Sequence, residues 1–369
     1  MAKFKGLREI CAAATADGVV PGLAVVIGQG GRDLFAEAFG QRQVEDNTRA
    51  ASIATVWDLA SLTKALTTSL LCMQAVERGS FGLDDDLGRH LPWPGAERFT
   101  VRAALSHSTG LPAHRPLYRA VLSGGAPPDA TSRAAVVSAA AREPLTYPAG
   151  TRSLYSDLGF ILLGDLCERR LRGRLDRLAE RQLYAPLGTR KLGFRPIGEA
   201  VAPAEIAATE RCPERGRVLV GEVHDLNAYA LGGVAGHAGL FGSAADVGLV
   251  AHALCAAWRG AGLWADRGPL VDREVLRTFW TAAGVPGSTW RLGWDGPSAQ
   301  GSLAGDRISR RAVGHLAFTG CSLWIDPEAE TFVVFLSNRV HPVARDDARF
   351  RELRRAINDA ALEAIDYRS

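Results

Sequence analysis

The sequence predicts an α/β (α+β) fold. One antiparallel sheet is built from both ends of the chain and flanked by helices, and a mostly helical region is inserted between them. Three observations point there. Each end reads as a few strands plus one helix. The middle, residues 66–285, is rich in Ala, Leu and Arg, with helical runs broken by Pro/Gly loops. Neither end alone has enough strands for a stable sheet, so the two ends are expected to share one.

At the N-terminal end, Phe4, Leu7, Ile10, Cys11 and Ala14 follow helical spacing, and Pro21-Gly22 stops that element. "LAVVIGQGGRDLFAEAFG" then reads as two strands around the Gly28–Gly31 turn. Near the other end, "HLAFTGCSLWIDPEAETFVVFLSNR" reads as strand, strand, an Asp326-Pro327 turn and another strand. Phe350, Leu353, Ile357, Ala361 and Ala364 mark a closing amphipathic helix. The expected division is therefore 1–65 with 286–369 as the sheet domain and 66–285 as the helical domain, with the active site between them. No internal repeat or low-complexity segment interrupts this plan.

Composition narrows the classes. With 369 residues, 47% hydrophobic and 22% charged, the chain can bury a sizeable core. A net charge of +3, with no basic block or aromatic-basic stripe, gives no sign of a nucleic-acid partner. The six cysteines are scattered without a C-x-x-C pair and read as small buried apolar residues. "MAKFKGLREICAAATADGVVPG" has no apolar core ahead of a cleavage site, and no stretch reaches about 18 uninterrupted apolar residues. The expectation is a cytoplasmic protein without a membrane span.

Chemistry concentrates in "WDLASLTKALTTSLL", residues 57–71. Lysine occurs only at Lys3, Lys5, Lys64 and Lys191, against 39 arginines. Leu62, Leu66, Leu70 and Met73 keep helical spacing and Gly79 is a plausible stop. Ser61 and Lys64, three apart, would then share a helix face. A serine hydroxyl needs a base, and a buried amine can lose its proton where a guanidinium cannot. Ser-x-x-Lys alone is common by chance, so its context decides.

"DLASLTKALTT" resembles the nucleophile segment of the serine β-lactamase and penicillin-binding protein superfamily. It is most similar to the class C β-lactamase-related branch, which includes esterases and D-aminopeptidases. Two further family motifs have counterparts in the expected order. Tyr155-Ser156-Asp157, after a Pro-Ala-Gly loop, stands where the family has Tyr-x-Asn. His315-Leu316-Ala317 stands where it has Lys-Thr-Gly on a strand. "LSHSTGLP" (105–112) and "GEVHDLNAYALGGVAGHAGLF" (221–241) also resemble family segments.

The resemblance implies Ser61 as nucleophile, with Lys64 or Tyr155 as the general base; the sequence leaves that choice open. Asp157 in place of asparagine would hold Lys64 protonated and move the base role towards Tyr155. The backbone NH groups of Ser61 and Phe318 would form an oxyanion hole, which tolerates altered side chains. Asp157, His315 and Ala317 would meet the substrate. His315 carries charge only near or below about pH 6.5, and Leu316 has no hydroxyl, so a substrate carboxylate is poorly served. The plainer alternative for His315 is a structural histidine hydrogen-bonded at a strand edge.

No G-x-S-x-G elbow is present, which argues against an α/β-hydrolase. His224, Asp225 and His237 lack metal-ligand spacing, so no metal and no cofactor are expected. The reading is a carboxylesterase-like serine hydrolase acting on a small ester, amide or peptide-like substrate through an acyl-Ser61 intermediate. A D-aminopeptidase, DD-peptidase or weak β-lactamase is the alternative among enzymes. A non-hydrolysing penicillin-binding or sensor protein is the alternative from another class.

Overall fold

A computed structural model describes residues 2–45, 49–122, 128–195, 205–262, 268–345 and 347–367. The chain opens with helix α1 (Lys5–Ala16), whose Leu7, Cys11 and Ala14 face inward. Strands β1 (Gly22–Gln29) and β2 (Arg32–Gly40) follow as a hairpin. Gly30 and Gly31 turn it with φ of 56° and 78°, a region that a side chain would strain.

Short strand β3 (Trp57–Asp58) leads to a π-helical turn (Lys64–Ser69), which continues as α2 (Leu70–Glu77). Then come α3 (Val101–Leu105), α4 (Tyr118–Leu122), α5 (Ala130–Arg142), α6 (Asp157–Leu171), α7 (Leu175–Ala179) and α8 (Ala185–Leu187). The next stretch holds β4 (Gly193–Phe194), β5 (Ala208–Cys212), β6 (Arg217–Val220), α9 (Leu226–Ala230), β7 (Leu240–Gly242), α10 (Ala244–Trp258) and α11 (Arg273–Trp280). Strands β8 (Val313–Leu316), β9 (Ser322–Asp326) and β10 (Thr331–Ser337), then α12 (Ala348–Ala364), complete the order.

The main sheet has the order β2-β1-β10-β9-β8, antiparallel throughout. The two ends of the chain meet in the β1–β10 pair, where Leu23 lies opposite Ser337 and Gln29 opposite Thr331. Alternation sorts the side chains. Leu23, Val25, Ile27, Val333 and Phe335 pack with Leu7 and Cys11 of α1 and with Phe350, Leu353 and Ile357 of α12. Ala24, Val26, Phe332, Val334 and Leu336 join the large core, with Val247, Val250 and Ala251 of α10. Both faces of the central strands β1 and β10 are therefore dry. That explains why "LAVVI" and "FVVFL" are unbroken apolar runs and not alternating ones.

The mixed helical and antiparallel-sheet architecture agrees with the fold class read from the sequence. Two features of residues 66–285 go beyond that reading. First, α10 covers the second face of the main sheet, so the sheet is not flanked by the terminal helices alone. Second, this stretch holds short strands: β5 pairs with β6, and β7 pairs with β4 and with β3 from outside the stretch. No helix among the described residues is long and apolar enough to cross a membrane.

Candidate active site

The turn carrying Ser61 is braced before any catalytic contact is made. Asp58, at the end of β3, is buried. Its Oδ1 accepts from the Ala60 NH at 2.8 Å and its Oδ2 from the His224 NH at 2.8 Å. Thr319 Oγ1 donates to the Asp58 carbonyl at 2.7 Å. Ala60 has φ +42°, an unfavourable value for a residue with a Cβ. Thr63 Oγ1 donates to the Ala60 carbonyl at 2.6 Å and accepts from the Leu240 NH at 3.1 Å. Hydrogen bonds on both sides thus hold the strained residue directly before Ser61.

Lys64 is wholly buried, and its amine has three acceptors. Nζ lies 3.1 Å from Ser61 Oγ, 2.9 Å from the His237 carbonyl and 2.8 Å from Asp157 Oδ1. An ammonium has three N–H donors, so this environment satisfies the charged form completely. The His237 carbonyl reaches Lys64 because its loop presses against α6. A Cβ on Gly236 would overlap the Phe160 carbonyl oxygen and the backbone of Gly164.

Tyr155 Oη lies 2.6 Å from Ser61 Oγ. The Tyr155 ring is backed by His107, Trp290 and His315, with centroids 4.8, 5.6 and 6.1 Å away. The 105–112 loop therefore has a physical task. His107 Nδ1 accepts from the Ser156 NH at 3.0 Å, and Tyr147 Oη donates to the His107 carbonyl at 3.2 Å. Ser156 caps α6, accepting from the Leu158 NH at 3.3 Å and donating to the Pro112 carbonyl at 2.7 Å. Tyr155 and Asp157 flank this cap, so the start of α6 aims Tyr155 at Ser61 and Asp157 at Lys64.

Burial alone would lower the Lys64 pKa, but the Asp157 charge, then Tyr155, raise it above the ordinary lysine value. Burial would lift Asp157, but Lys64 outweighs it and holds the carboxyl below the usual range. Burial pushes the Tyr155 phenol up to about 12. At neutral pH the resting site is an ammonium–carboxylate pair beside a neutral phenol.

Two residues that the resemblance put at the substrate make contacts within the protein. His315 is 1% exposed, and burial, then the charge of Lys64, push its pKa down to about 3. Its Nδ1 bonds the Leu316 carbonyl at 2.7 Å. It is held as a neutral histidine on edge strand β8. The backbone of Ala317 is also engaged within the protein: its NH donates to Cys321 O at 2.8 Å and its carbonyl accepts from Arg354 Nη2 at 2.8 Å. Leu316 packs on the opposite face, against the terminal-helix core.

Phe318 is 52% exposed and shares with Ser61 a cavity of about 430 Å³. Among the described residues, the NH groups of Ser61 and Phe318 donate to no backbone or side-chain acceptor. The cavity wall also holds His114 and Glu210, which the sequence did not single out, beside His224, Asp225 and His237, which it did. His114 Nδ1 lies 3.5 Å from Asp157 Oδ2. Glu210 pairs with His224 at 2.8 Å, and Asp225 with His237 Nε2 at 2.8 Å. One nitrogen of His114 and one carboxylate oxygen each of Asp157 and Asp225 lie within 4.8 Å of one another, a set suited to a small cation. His224, Asp225 and His237 do not themselves form such a set: His224 is drawn to Glu210.

The geometry agrees with what the chain is similar to. It is 29% identical over 352 residues to an N-acetylmuramyl-L-alanine amidase of Bacillus subtilis (strain 168), covering 87% of this chain and 78% of the relative. It is 30% identical over 318 residues to an Escherichia coli (strain K12) protein provisionally named a D-alanyl-D-alanine carboxypeptidase, covering 80% and 71%. Among solved structures, EstCE1, described as a hydrolase with promiscuous acyltransferase activity, superposes with a TM-score of 0.75 at 21% identity, covering 98% of both chains; that likeness speaks for the fold. A family model described as Beta-lactamase matches residues 7–357, nearly the whole length, and the chain belongs to the beta-lactamase family.

Proposed function

We propose that the protein is a serine hydrolase that cleaves an ester or amide through an acyl-Ser61 intermediate. One observation carries this reading: Ser61 Oγ, at the wall of a cavity, sits 2.6 Å from Tyr155 Oη and 3.1 Å from Lys64 Nζ. Both neighbours exchange protons, and both are within reach of direct transfer.

The resting pair Lys64/Tyr155 carries one proton too many to act as a base. The reactive form is the pair with one proton removed, with the remaining proton shared across Ser61. Oγ then attacks the acyl carbon as its proton passes to the pair. Negative charge develops on the carbonyl oxygen, within reach of the Ser61 and Phe318 NH groups. The pair returns the proton to the leaving group, and water repeats the sequence to release the acid.

Esters and amides without a carboxylate fit this site best. The strand that serves a substrate carboxylate in the resembling enzymes offers a neutral His315 here, and Leu316 points elsewhere. Cleavage of a peptide-like amide is a second reading, favoured by the amidase and carboxypeptidase relatives. The first test is hydrolysis of p-nitrophenyl acyl esters by the parent and by Ser61→Ala. Loss of several powers of ten in kcat supports the proposal; a parent-like rate in the variant rejects it.

A further inference from the structure

Arg354, on α12, is 7% exposed, and among the described residues no carboxylate pairs with it and its Nε has no partner. Burial, then the nearby charge of Arg339, push its pKa down to about 10, so the guanidinium is charged at neutral pH. A lone buried charge is costly to a fold, and an apolar side chain of similar volume commonly replaces it without loss of stability. Its hydrogen bonds do not explain its presence. Nη2 donates to the carbonyls of Ala317 at 2.8 Å and Cys321 at 3.1 Å. Both carbonyls already accept from backbone NH groups, Ala317 from Gly320 at 3.1 Å and Cys321 from Ala317 at 2.8 Å. Each would keep a partner without Arg354.

What Arg354 touches is the peptide that carries the Phe318 NH. The Ala317 carbonyl and the Phe318 NH belong to one trans peptide, so they point in opposite directions. Fixing the carbonyl against α12 turns the NH away from that helix, and Phe318 lines the cavity it shares with Ser61. A charged donor on the carbonyl oxygen also polarises the amide and makes its NH a stronger donor. Two further bonds keep the turn from swivelling. Arg339 Nε donates to the Phe318 carbonyl at 2.9 Å, and Thr319 Oγ1 donates to the Asp58 carbonyl. Asp58 also holds the Ala60 NH just before Ser61, so the Ser61 and Phe318 NH groups are tied through one residue. Arg339 and Arg354 both lie over the Phe350 ring, at 5.1 and 4.8 Å, which gathers two positive charges behind the same turn.

We propose that Arg354 is a positioning residue for the reaction: its guanidinium fixes and polarises the Ala317–Phe318 peptide so that the Phe318 NH stabilises the oxyanion of the tetrahedral intermediate. The proposal rests on the acyl-Ser61 reading, since the NH needs an oxyanion to serve. Arg354 acts only through this peptide, whose carbonyl it holds. Its effect is confined to the step in which negative charge develops on the substrate oxygen; binding of the intact ester, whose carbonyl carries little charge, gains little.

The test compares Arg354→Met, Arg354→Gln and Arg354→Lys with the parent. Each is assayed for kcat and KM on p-nitrophenyl butyrate, for inhibition by phenylboronic acid, and for its melting midpoint. The tetrahedral boronate on Ser61 places a hydroxyl where the oxyanion forms. Removing a whole oxyanion donor costs about a hundredfold to a thousandfold, so weakening one should lower kcat/KM about tenfold to a hundredfold in Arg354→Met. The loss should fall on kcat, with KM within about threefold of the parent's, and phenylboronic acid should weaken by the same factor as kcat/KM. The melting midpoint of Arg354→Met should match or exceed the parent's, because a lone buried charge has gone. Arg354→Lys keeps a charged donor and should recover most of the activity; Arg354→Gln keeps a neutral one and should not. Should Arg354→Met fail to fold, the order of Arg354→Lys above Arg354→Gln still decides. Parent-like kcat/KM in Arg354→Met, boronate binding that does not follow kcat/KM, or losses that track the melting midpoint across the variants would each overturn the proposal and leave the hydrolase reading intact. A parent that neither turns over the ester nor binds the boronate overturns the acyl-Ser61 reading, and this proposal with it.

Discussion

Replacing Asp157 by asparagine, the residue of the resembling motif, should make the enzyme active at lower pH. Asp157 Oδ1 is 2.8 Å from Lys64 Nζ; at an effective dielectric of roughly 20 the charges attract by roughly 6 kcal/mol, or roughly four pKa units. Asparagine keeps an oxygen for the Lys64 N–H but removes the charge, so the Lys64 pKa falls. The sign follows from direction: Asp157 raises the Lys64 pKa, so its removal lowers it, and more of the pair is in the proton-poor form at neutral pH. The assay is kcat/KM for p-nitrophenyl butyrate between about pH 5.5 and 9, fitted for the acid limb. That midpoint belongs to the Lys64/Tyr155 pair and not to one residue. It should move down by about 1–3 units in Asp157→Asn, with activity below it rising about tenfold per unit. A midpoint that stays put or moves up would refute the claim that Lys64 protonation gates the reaction.

Three further outcomes follow from the same geometry. Lys64→Arg should be nearly as damaging as Lys64→Ala in the ester assay, because a guanidinium cannot give up a proton; substantial activity would make Lys64 a fixed charge only. Uncharged short-chain esters should exceed penicillins in kcat/KM, because the buried neutral His315 offers a carboxylate no cation; a preference for a penicillin would reverse the esterase reading. Gly236→Ala should lower stability by about 1–3 kcal/mol, since its Cβ overlaps the Phe160 carbonyl, and should slow ester turnover by displacing the His237 carbonyl from Lys64. A denaturant midpoint and turnover like the parent's would contradict that account.

The legible features were those written in local spacing. Ser61 and Lys64 sit three residues apart, and that spacing alone brings them to 3.1 Å. Apolar runs marked β1, β9 and β10, and helical spacing marked α1 and α12. What escaped is set by contacts between distant segments. Asp58 is one aspartate among many until its carboxylate is seen to hold both Ala60 and His224. The Lys64–His237 contact spans 173 residues and depends on two glycines, Gly164 and Gly236, meeting face to face. The full burial of His315 on a strand at the sheet edge was not legible either. Here Tyr155 and Trp290 close over that face, and the backbone of Asp295 bridges to Gly314 along the edge. His114, Asp157 and Asp225 come together from three loop or cap positions, a juxtaposition with no linear signature.

The central claim is that Ser61 is the acylated nucleophile. Reaction of the folded protein with a fluorophosphonate, followed by intact mass and peptide mapping, tests it most directly. The account predicts a single adduct per chain, located on the peptide carrying Ser61 and absent from Ser61→Ala. No adduct on the parent, or the same adduct on Ser61→Ala, would contradict it.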